Sequence, residues 1–272
     1  MNIDDFKLNR SQLAVPATRT DFFEKAAKSE ADIVFLDLED SIALEEKDRA
    51  RKNALDAIND IDWREKVLSV RVNSIDTDFI NKDITNILSN SSNKLDLIML
   101  PKVSCANDVI KIDKMVTEIE NHQKNISKIG FELIIENAIG LINLKEIVKS
   151  SRRIETLHFG AADFAASIGA KTMNIGGVNN NYGSLEFKKE FKDKRQFYIN
   201  DMWQYATSKI LIMAKAFNLR AVDCPYGEYN DEIGFNALAE SSYTMGYDGK
   251  MVIHPNQIKL ANKIYVPSEK EI

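Results

Sequence analysis

Gln12-Leu13-Ala14-Val15-Pro16 runs straight into Ala17-Thr18-Arg19-Thr20, with no glycine before the helical pattern that starts near Phe22. A strand that feeds a helix in this way opens either a doubly wound parallel sheet or a closed barrel. The doubly wound sheet ordinarily places a glycine-rich, phosphate-binding turn at this point, and GxGxxG occurs nowhere in the chain. The turn therefore favours the barrel. Seven further short apolar runs follow: Ile33 to Glu39, Val67 to Asn73, Leu95 to Lys102, Phe131 to Asn137, Thr156 to Gly160, Arg220 to Pro225 and Lys250 to Pro255. Stretches with helical spacing separate them, which predicts an α/β fold of eight parallel strands and crossover helices, a (β/α)8 TIM barrel.

Working outward, Asp21 is placed to cap a helix from Phe22 to Ser29, and Asp76 one from Phe79 to Leu88. Lys171 to Tyr198, with Gly176-Gly177 and Asn179-Asn180-Asn181, interrupts the periodicity before a helix from Asn200 to Ala216. It is too long for an ordinary barrel loop and reads as an insertion after strand six, of the kind that often carries function. One barrel domain over residues 1–272 is expected, without a C-terminal lid domain.

The net charge of −5, with acidic and basic residues intermingled, offers no basic stripe for nucleic acid. No apolar run has membrane-spanning length, and Met1-Asn2-Ile3-Asp4-Asp5 lacks the regions of a signal peptide, so a cytoplasmic protein with no membrane partner is expected. Cys105 and Cys224 read as two reduced thiols. His122, His158 and His254 lie far apart and none neighbours a cysteine, which argues against zinc.

In a barrel every strand end faces one mouth, so residues distant in sequence become neighbours. Glu136 closes the run Phe131-Glu132-Leu133-Ile134-Ile135, and Asp163 follows Leu157-His158-Phe159-Gly160. Carboxylates just past buried strands are costly unless a cation neutralises them. Oxygen ligands and few of them point to Mg²⁺, with Mn²⁺ as a substitute. Alternation puts Asp37 and Glu39 on one face of the second strand, with Asp40 opening its loop, where the three can pair with cations or orient a base. Arg71, inside an apolar alternation, needs an acid or an anionic substrate. Arg19 and Lys25 follow the first strand, Asn73 the third, Lys102 the fourth and Asn137 the fifth; His158 and His254 read as packing or hydrogen-bonding groups.

Asn9-Arg10-Ser11-Gln12-Leu13-Ala14-Val15-Pro16, Phe35-Leu36-Asp37-Leu38-Glu39-Asp40, Val70-Arg71-Val72-Asn73, Leu100-Pro101-Lys102, Ile135-Glu136-Asn137, Phe159-Gly160-Ala161-Ala162-Asp163 and Val252-Ile253-His254-Pro255 occur in order over nearly the whole chain. Together they resemble the citrate lyase β-subunit-like (HpcH/HpaI) aldolases, particularly the malyl-CoA and β-methylmalyl-CoA lyases. That resemblance implies a Mg²⁺-dependent barrel that cleaves the carbon–carbon bond of a 3-hydroxyacyl-CoA thioester. It matches Glu136 and Asp163 to the metal ligands, with Glu136 also at the substrate, and Arg71 to the substrate arginine. It matches Arg19 and Lys25 to positions that contact CoA and substrate. It also implies a homotrimer or homohexamer. Members of the malyl-CoA branch usually continue into a lid that brings an aspartate to a neighbouring site, whereas this sequence stops at Ile272. Citrate lyase β subunit chemistry on an acyl carrier protein, malyl-CoA thioesterase activity and a non-catalytic barrel stand as alternatives.

Overall fold

A computed structural model of the chain describes residues 8–123, 128–172, 174–187 and 195–267. Its strands are β1 (Ser11–Pro16), β2 (Ile33–Asp37), β3 (Val67–Arg71), β4 (Leu97–Leu100), β5 (Gly130–Ile135), β6 (Ile154–Phe159), β7 (Gly183–Phe187), β8 (Arg195–Ile199), β9 (Arg220–Asp223) and β10 (Gly249–Val252). The helices are α1 (Thr20–Lys28), α2 (Lys47–Asp60), α3 (Phe79–Asn90), α4 (Ala106–His122), α5 (Ala138–Ile142), α6 (Leu144–Val148), α7 (Ala161–Ser167), α8 (Gln204–Ala216), α9 (Glu232–Met245) and α10 (Pro255–Ile264).

The parallel strands close in the order β1-β2-β3-β4-β5-β6-β9-β10, with β10 back on β1. All eight predicted strands are present, with shifted ends. β2 and β3 stop at Asp37 and Arg71, short of Glu39 and Asn73, and the Asp37 and Arg71 side chains pair at the mouth. The insertion leaves after β6 and returns before β9, which nevertheless pair directly. Within it β7 and β8 form an antiparallel pair that the sequence did not disclose.

Period-two alternation stacks the barrel interior in layers. Ile33, Val67 and Leu97 form an apolar floor. Beside it lies a buried polar layer, in which Glu132 accepts from Gln12 Nε2 at 2.9 Å and Ser69 Oγ at 2.7 Å, with His158 Nε2 3.2 Å away. Burial alone would raise the Glu132 pKa, but the His158 and Ser69 contacts hold it below the usual glutamate value. His158 is thus a core group, as expected. Above come Phe35, Met99, Ile134 and Met251, packed with Ala14. The next residues up are Asp37, Arg71 and Glu136, so the same alternation delivers charge to the mouth.

The helical shell buries most of its apolar side chains against the outer strand faces. One buried ion pair crosses it: Arg51 Nε of α2 donates to Asp83 Oδ1 of α3 at 2.7 Å. Asp83 Oδ2 also accepts from the backbone N of Asn73 at 2.9 Å and its Nδ2 at 2.6 Å. Asn73 therefore anchors the loop after β3 outward, away from the mouth.

Neither predicted cap is observed. The carboxylate of Asp21 is taken by Arg19, at 3.0 Å from both Nε and Nη2, so α1 begins at Thr20 with Asp21 in its first turn. α3 is preceded by Asp78 rather than Asp76, and no side chain caps it. Cys105, at the N-cap of α4, and Cys224, after β9, are both free thiols. Among the described residues no helix is long and apolar enough to cross a membrane.

Asp83→Ala leaves the Arg51 guanidinium and the Asn73 amides buried without their acceptor. It should lower unfolding stability by about 3 kcal/mol or more in urea titration; a loss below about 1 kcal/mol would show that the shell pair does not hold the β3 loop.

Candidate active site

Asp37 and Arg71 are partners in the parallel register of β2 and β3. The guanidinium grips the carboxylate through Nε to Oδ1 at 2.6 Å and Nη2 to Oδ2 at 2.7 Å, a bidentate geometry that fixes its plane. Asp37 also accepts from the Glu39 N at 2.9 Å, the Ser41 N at 3.1 Å and the Ser41 hydroxyl. Burial works to raise the Asp37 pKa, yet the Arg71 charge and these hydrogen bonds hold it down at about 2. Every lone pair of Asp37 is engaged, so its observed work is to hold Arg71. The remaining guanidinium nitrogen, Nη1, is turned toward the mouth, 3.4 Å from Glu39 Oε2 and 3.4 Å from Asp40 Oδ2.

Lys47, at the start of α2, reaches back to donate to the carbonyl oxygens of Leu38 at 2.8 Å and Glu39 at 2.7 Å. This buried clamp sets the turn that carries Glu39 and Asp40. Glu39 is buried and accepts from Lys102 Nζ. Burial, more than the opposing pull of Arg71 and Lys102, pushes Glu39 up to about 7. Asp40 is half exposed, and Arg71 and Lys102 hold it low against the effect of burial.

Glu136 and Asp163 follow β5 and β6, which are adjacent strands. Glu136 is only 4% exposed and accepts from the Lys102 backbone N at 2.7 Å. Its pKa is driven up to about 8, first by burial and then by the negative charge of Asp163, with Lys102 only partly offsetting both. Gly160, between β6 and α7, makes the close approach possible: a Cβ there would lie 2.3 Å from Glu136 Oε2. Asp163 stands in the first turn of α7, 3.6 Å from Lys102 Nζ. Asn137 caps α5, its Oδ1 accepting from the Gly140 N at 2.7 Å, and holds the loop after β4 through Nδ2 to the Lys102 carbonyl oxygen at 3.1 Å.

These groups surround a cavity of about 200 Å³. Its floor is Ala14, Phe35, Ile134 and Met251, its rim holds Asp40, Arg71, Glu136 and Asp163, and Ile175 and Pro225 form one wall. Five carboxylates, Asp37, Glu39, Asp40, Glu136 and Asp163, thus face two cations, Arg71 and Lys102. A hard divalent cation would offset both the burial of Glu136 and its repulsion by Asp163. Among the described residues no group of three or more His, Cys, Asp or Glu side chains is arranged to hold a metal, and Glu136 and Asp163 are the carboxylates that follow the adjacent strands β5 and β6. That donor set suits Mg²⁺, which retains water, and not zinc.

Arg19 and Lys25 are not brought to this cavity. Arg19 is exposed, paired with Asp21 and stacked 3.8 Å above the Phe22 ring, with Lys25 Nζ 5.5 Å from the same ring. His254 caps α10, its Nδ1 accepting from the Asn256 N at 3.2 Å, and stacks on Tyr229. Sequence reasoning overlooked Lys47, Ser41 and Gly160. Gly160, a glycine directly after an apolar strand and before an acid, carried a readable signal; Lys47 within Glu45-Glu46-Lys47 carried none.

The closed barrel with a carboxylate pair at its mouth places the chain in the (β/α)8 class. The chain belongs to the HpcH/HpaI aldolase/citrate lyase family, whose model matches residues 10–255. It is 43% identical over 264 residues to the L-malyl-CoA/beta-methylmalyl-CoA lyase of Cereibacter sphaeroides, covering 97% of this chain and 81% of that one. It is 30% identical over 267 residues to the citrate lyase subunit beta of Leuconostoc mesenteroides subsp. cremoris, covering 98% and 80%. Among solved structures, CitE of Mycobacterium tuberculosis in complex with magnesium and acetoacetate superposes with a TM-score of 0.74 at 26% identity, covering 98% of this chain and 94% of that one. The same protein with magnesium, acetoacetate and coenzyme A gives a TM-score of 0.73 at 26% identity, covering 96% and 82%.

The Asp37 pKa gives a signed pH dependence. Its folded value lies below the ordinary carboxylate value, so its stabilisation is present above about pH 4 and is lost as pH falls toward 2. Wild type should lose roughly 2 kcal/mol more than Asp37→Asn over that interval, read as the difference between their denaturation midpoints. Parallel pH curves for the two proteins would contradict the assignment.

Proposed function

We propose that the chain is a Mg²⁺-dependent carbon–carbon lyase that cleaves a 3-hydroxyacyl-CoA such as malyl-CoA into acetyl-CoA and glyoxylate, reversibly. The observation that carries this reading is the buried Glu136 beside Asp163, at the same mouth as an arginine whose Nε and Nη2 are locked by Asp37 while Nη1 is turned toward the cavity with only long contacts to Glu39 and Asp40. The name of the Cereibacter sphaeroides relative supports the malyl-type acyl group, and the CitE complexes support the metal. Mn²⁺ would serve as a substitute.

Glu136 and Asp163 are assigned as the metal ligands, with Glu136 also touching substrate. The bound metal supplies Lewis-acid polarisation of the substrate oxygens and neutralises charge as the bond breaks. The chain's own groups do the rest. Arg71 Nη1 holds the anionic end of the substrate and stabilises charge developing on the thioester oxygen, oriented by Asp37. Glu39, poised near 7 by its burial, and Asp40 receive or relay the hydroxyl proton. As that proton leaves, the C–O bond becomes the carbonyl of the 2-oxo acid. The carbon–carbon electron pair passes to the thioester α-carbon as an enolate, which takes up a proton to give the acyl-CoA. Arg19 and Lys25, an exposed cationic pair beside β1, are assigned to the CoA phosphates. A homotrimer or homohexamer in the cytoplasm is the expected form, checked by sedimentation. The citrate lyase relative keeps one second reading: a carrier-protein thioester in place of CoA.

Purified protein with Mg²⁺ should release a phenylhydrazine-trapped 2-oxo acid from malyl-CoA, β-methylmalyl-CoA or citramalyl-CoA, and EDTA should stop it. Silence on all three with activity on a carrier-protein thioester would move the reading to the second. Glu136→Gln and Asp163→Asn should each abolish turnover while the fold survives by circular dichroism, and wild-type rates in either would remove the metal assignment. Arg71→Lys should cut kcat steeply, since a point charge does not reproduce the fork; an unchanged kcat would exclude Arg71 from the reaction.

Gly160→Ala supplies a separate check, because it drives a methyl group into the Glu136 carboxylate without altering any charge. Displacement of that ligand should cost roughly 10²-fold in kcat/KM. Full activity would mean that Glu136 need not hold its observed place.

A further inference from the structure

Lys102 has a backbone φ of 54°, the left-handed region that a residue with a side chain seldom occupies. The loop after β4 holds it there, with its N–H on Glu136 Oε1 at 2.7 Å and its carbonyl oxygen on Asn137 Nδ2 at 3.1 Å. In this conformation one residue serves two edges of the acid cluster. The backbone touches Glu136, while the ammonium contacts Glu39, lies 3.1 Å from Asp40 Oδ1 and is 3.6 Å from Asp163 Oδ2. Unusual backbone of this kind persists where the surrounding structure has a use for it.

Resting on the reading of Glu136 and Asp163 as metal ligands, we propose that Lys102 is the cation that occupies the carboxylate cluster of the metal-free protein, so that a divalent metal enters only against its ammonium. The geometry separates two tasks within the residue. The N–H orients the Glu136 carboxylate and remains useful when metal is bound. The ammonium, about a third exposed at the end of a flexible stem, neutralises Asp163 from one side and Glu39 and Asp40 from the other. A metal held between Glu136 and Asp163 takes over part of that neutralisation, and the two positive charges then repel at short range, where solvent screens them poorly. Lys102 is therefore a positioning residue that sets how readily the site loads, and its removal tightens metal binding instead of weakening it. A side chain that merely supported the fold or the ligands would move the affinity the other way.

The test is calorimetric titration of the full chain with MgCl₂ alone, no thioester present, on wild type, Lys102→Met, Lys102→Gly, Lys102→Arg and Glu136→Gln. Lys102→Gly retains the N–H on Glu136 and is at ease at positive φ, so it separates the loss of charge from backbone disturbance. Both Lys102→Met and Lys102→Gly should bind Mg²⁺ roughly tenfold more tightly than wild type, and Lys102→Arg should restore wild-type affinity. Equal or weaker binding in either folded neutral variant overturns the proposal. Binding in wild type that survives Glu136→Gln, or no binding in any protein, overturns the metal reading itself and this inference with it.

Discussion

One bidentate ion pair sets the geometry of the mouth. Because Asp37 and Arg71 face each other in the register of β2 and β3, their pairing closes two strand ends and spends one whole edge of the guanidinium. The other edge must then project into the cavity, toward Glu39, Asp40 and any anion that enters. Lys47 fixes the turn that presents those acids, through two backbone carbonyl oxygens rather than through charge pairing. Arginine is the residue that can be held rigidly and still have a nitrogen to offer; a lysine at position 71 would have to choose between Asp37 and the substrate.

Charge balance governs the rest. Five carboxylates and two cations share a mouth whose floor is Phe35, Ile134 and Met251, a poor medium for isolated charge. The protein answers locally by pairing Asp37 with Arg71 and Glu39 with Lys102, which leaves Glu136 raised to about 8. Deeper in the barrel the same problem has a different answer: the Glu132 carboxylate is held by Gln12, Ser69 and His158. The two buried glutamates lie four residues apart, one within β5 and one just past its end, and their surroundings rather than their identity set them apart.

Much of this was legible in the sequence for a physical reason. Parallel strands buried on both faces must be apolar throughout, so all eight stood out as short runs, and the residues just after them had to share a mouth. Glu136, Asp163, Arg71 and the Asp37 to Asp40 acids were found by that logic. The hairpin of β7 and β8 was not, because both of its faces are exposed and Leu185, Phe197 and Ile199 project from it without a core to report. The pair Arg51 and Asp83 joins α2 to α3 across 32 residues, and on sequence both are ordinary helix-surface charges. Arg19 and Lys25 were grouped with the mouth by their place after β1, yet their nearest partners are Asp21 and Phe22, which draw them outward. Strand ends are constrained by the barrel, whereas long side chains on an exposed helix are not.

The insertion between β6 and β9 adds something the closed barrel lacks. Those two strands pair directly, and the segment between them returns Ile175 to the cavity wall. A change of sequence around Ile175 would alter the shape of the cavity while leaving strand register, arginine fork and carboxylate pair untouched. Selection can thus vary the clientele of the enzyme in one stretch of chain and conserve its reaction in another.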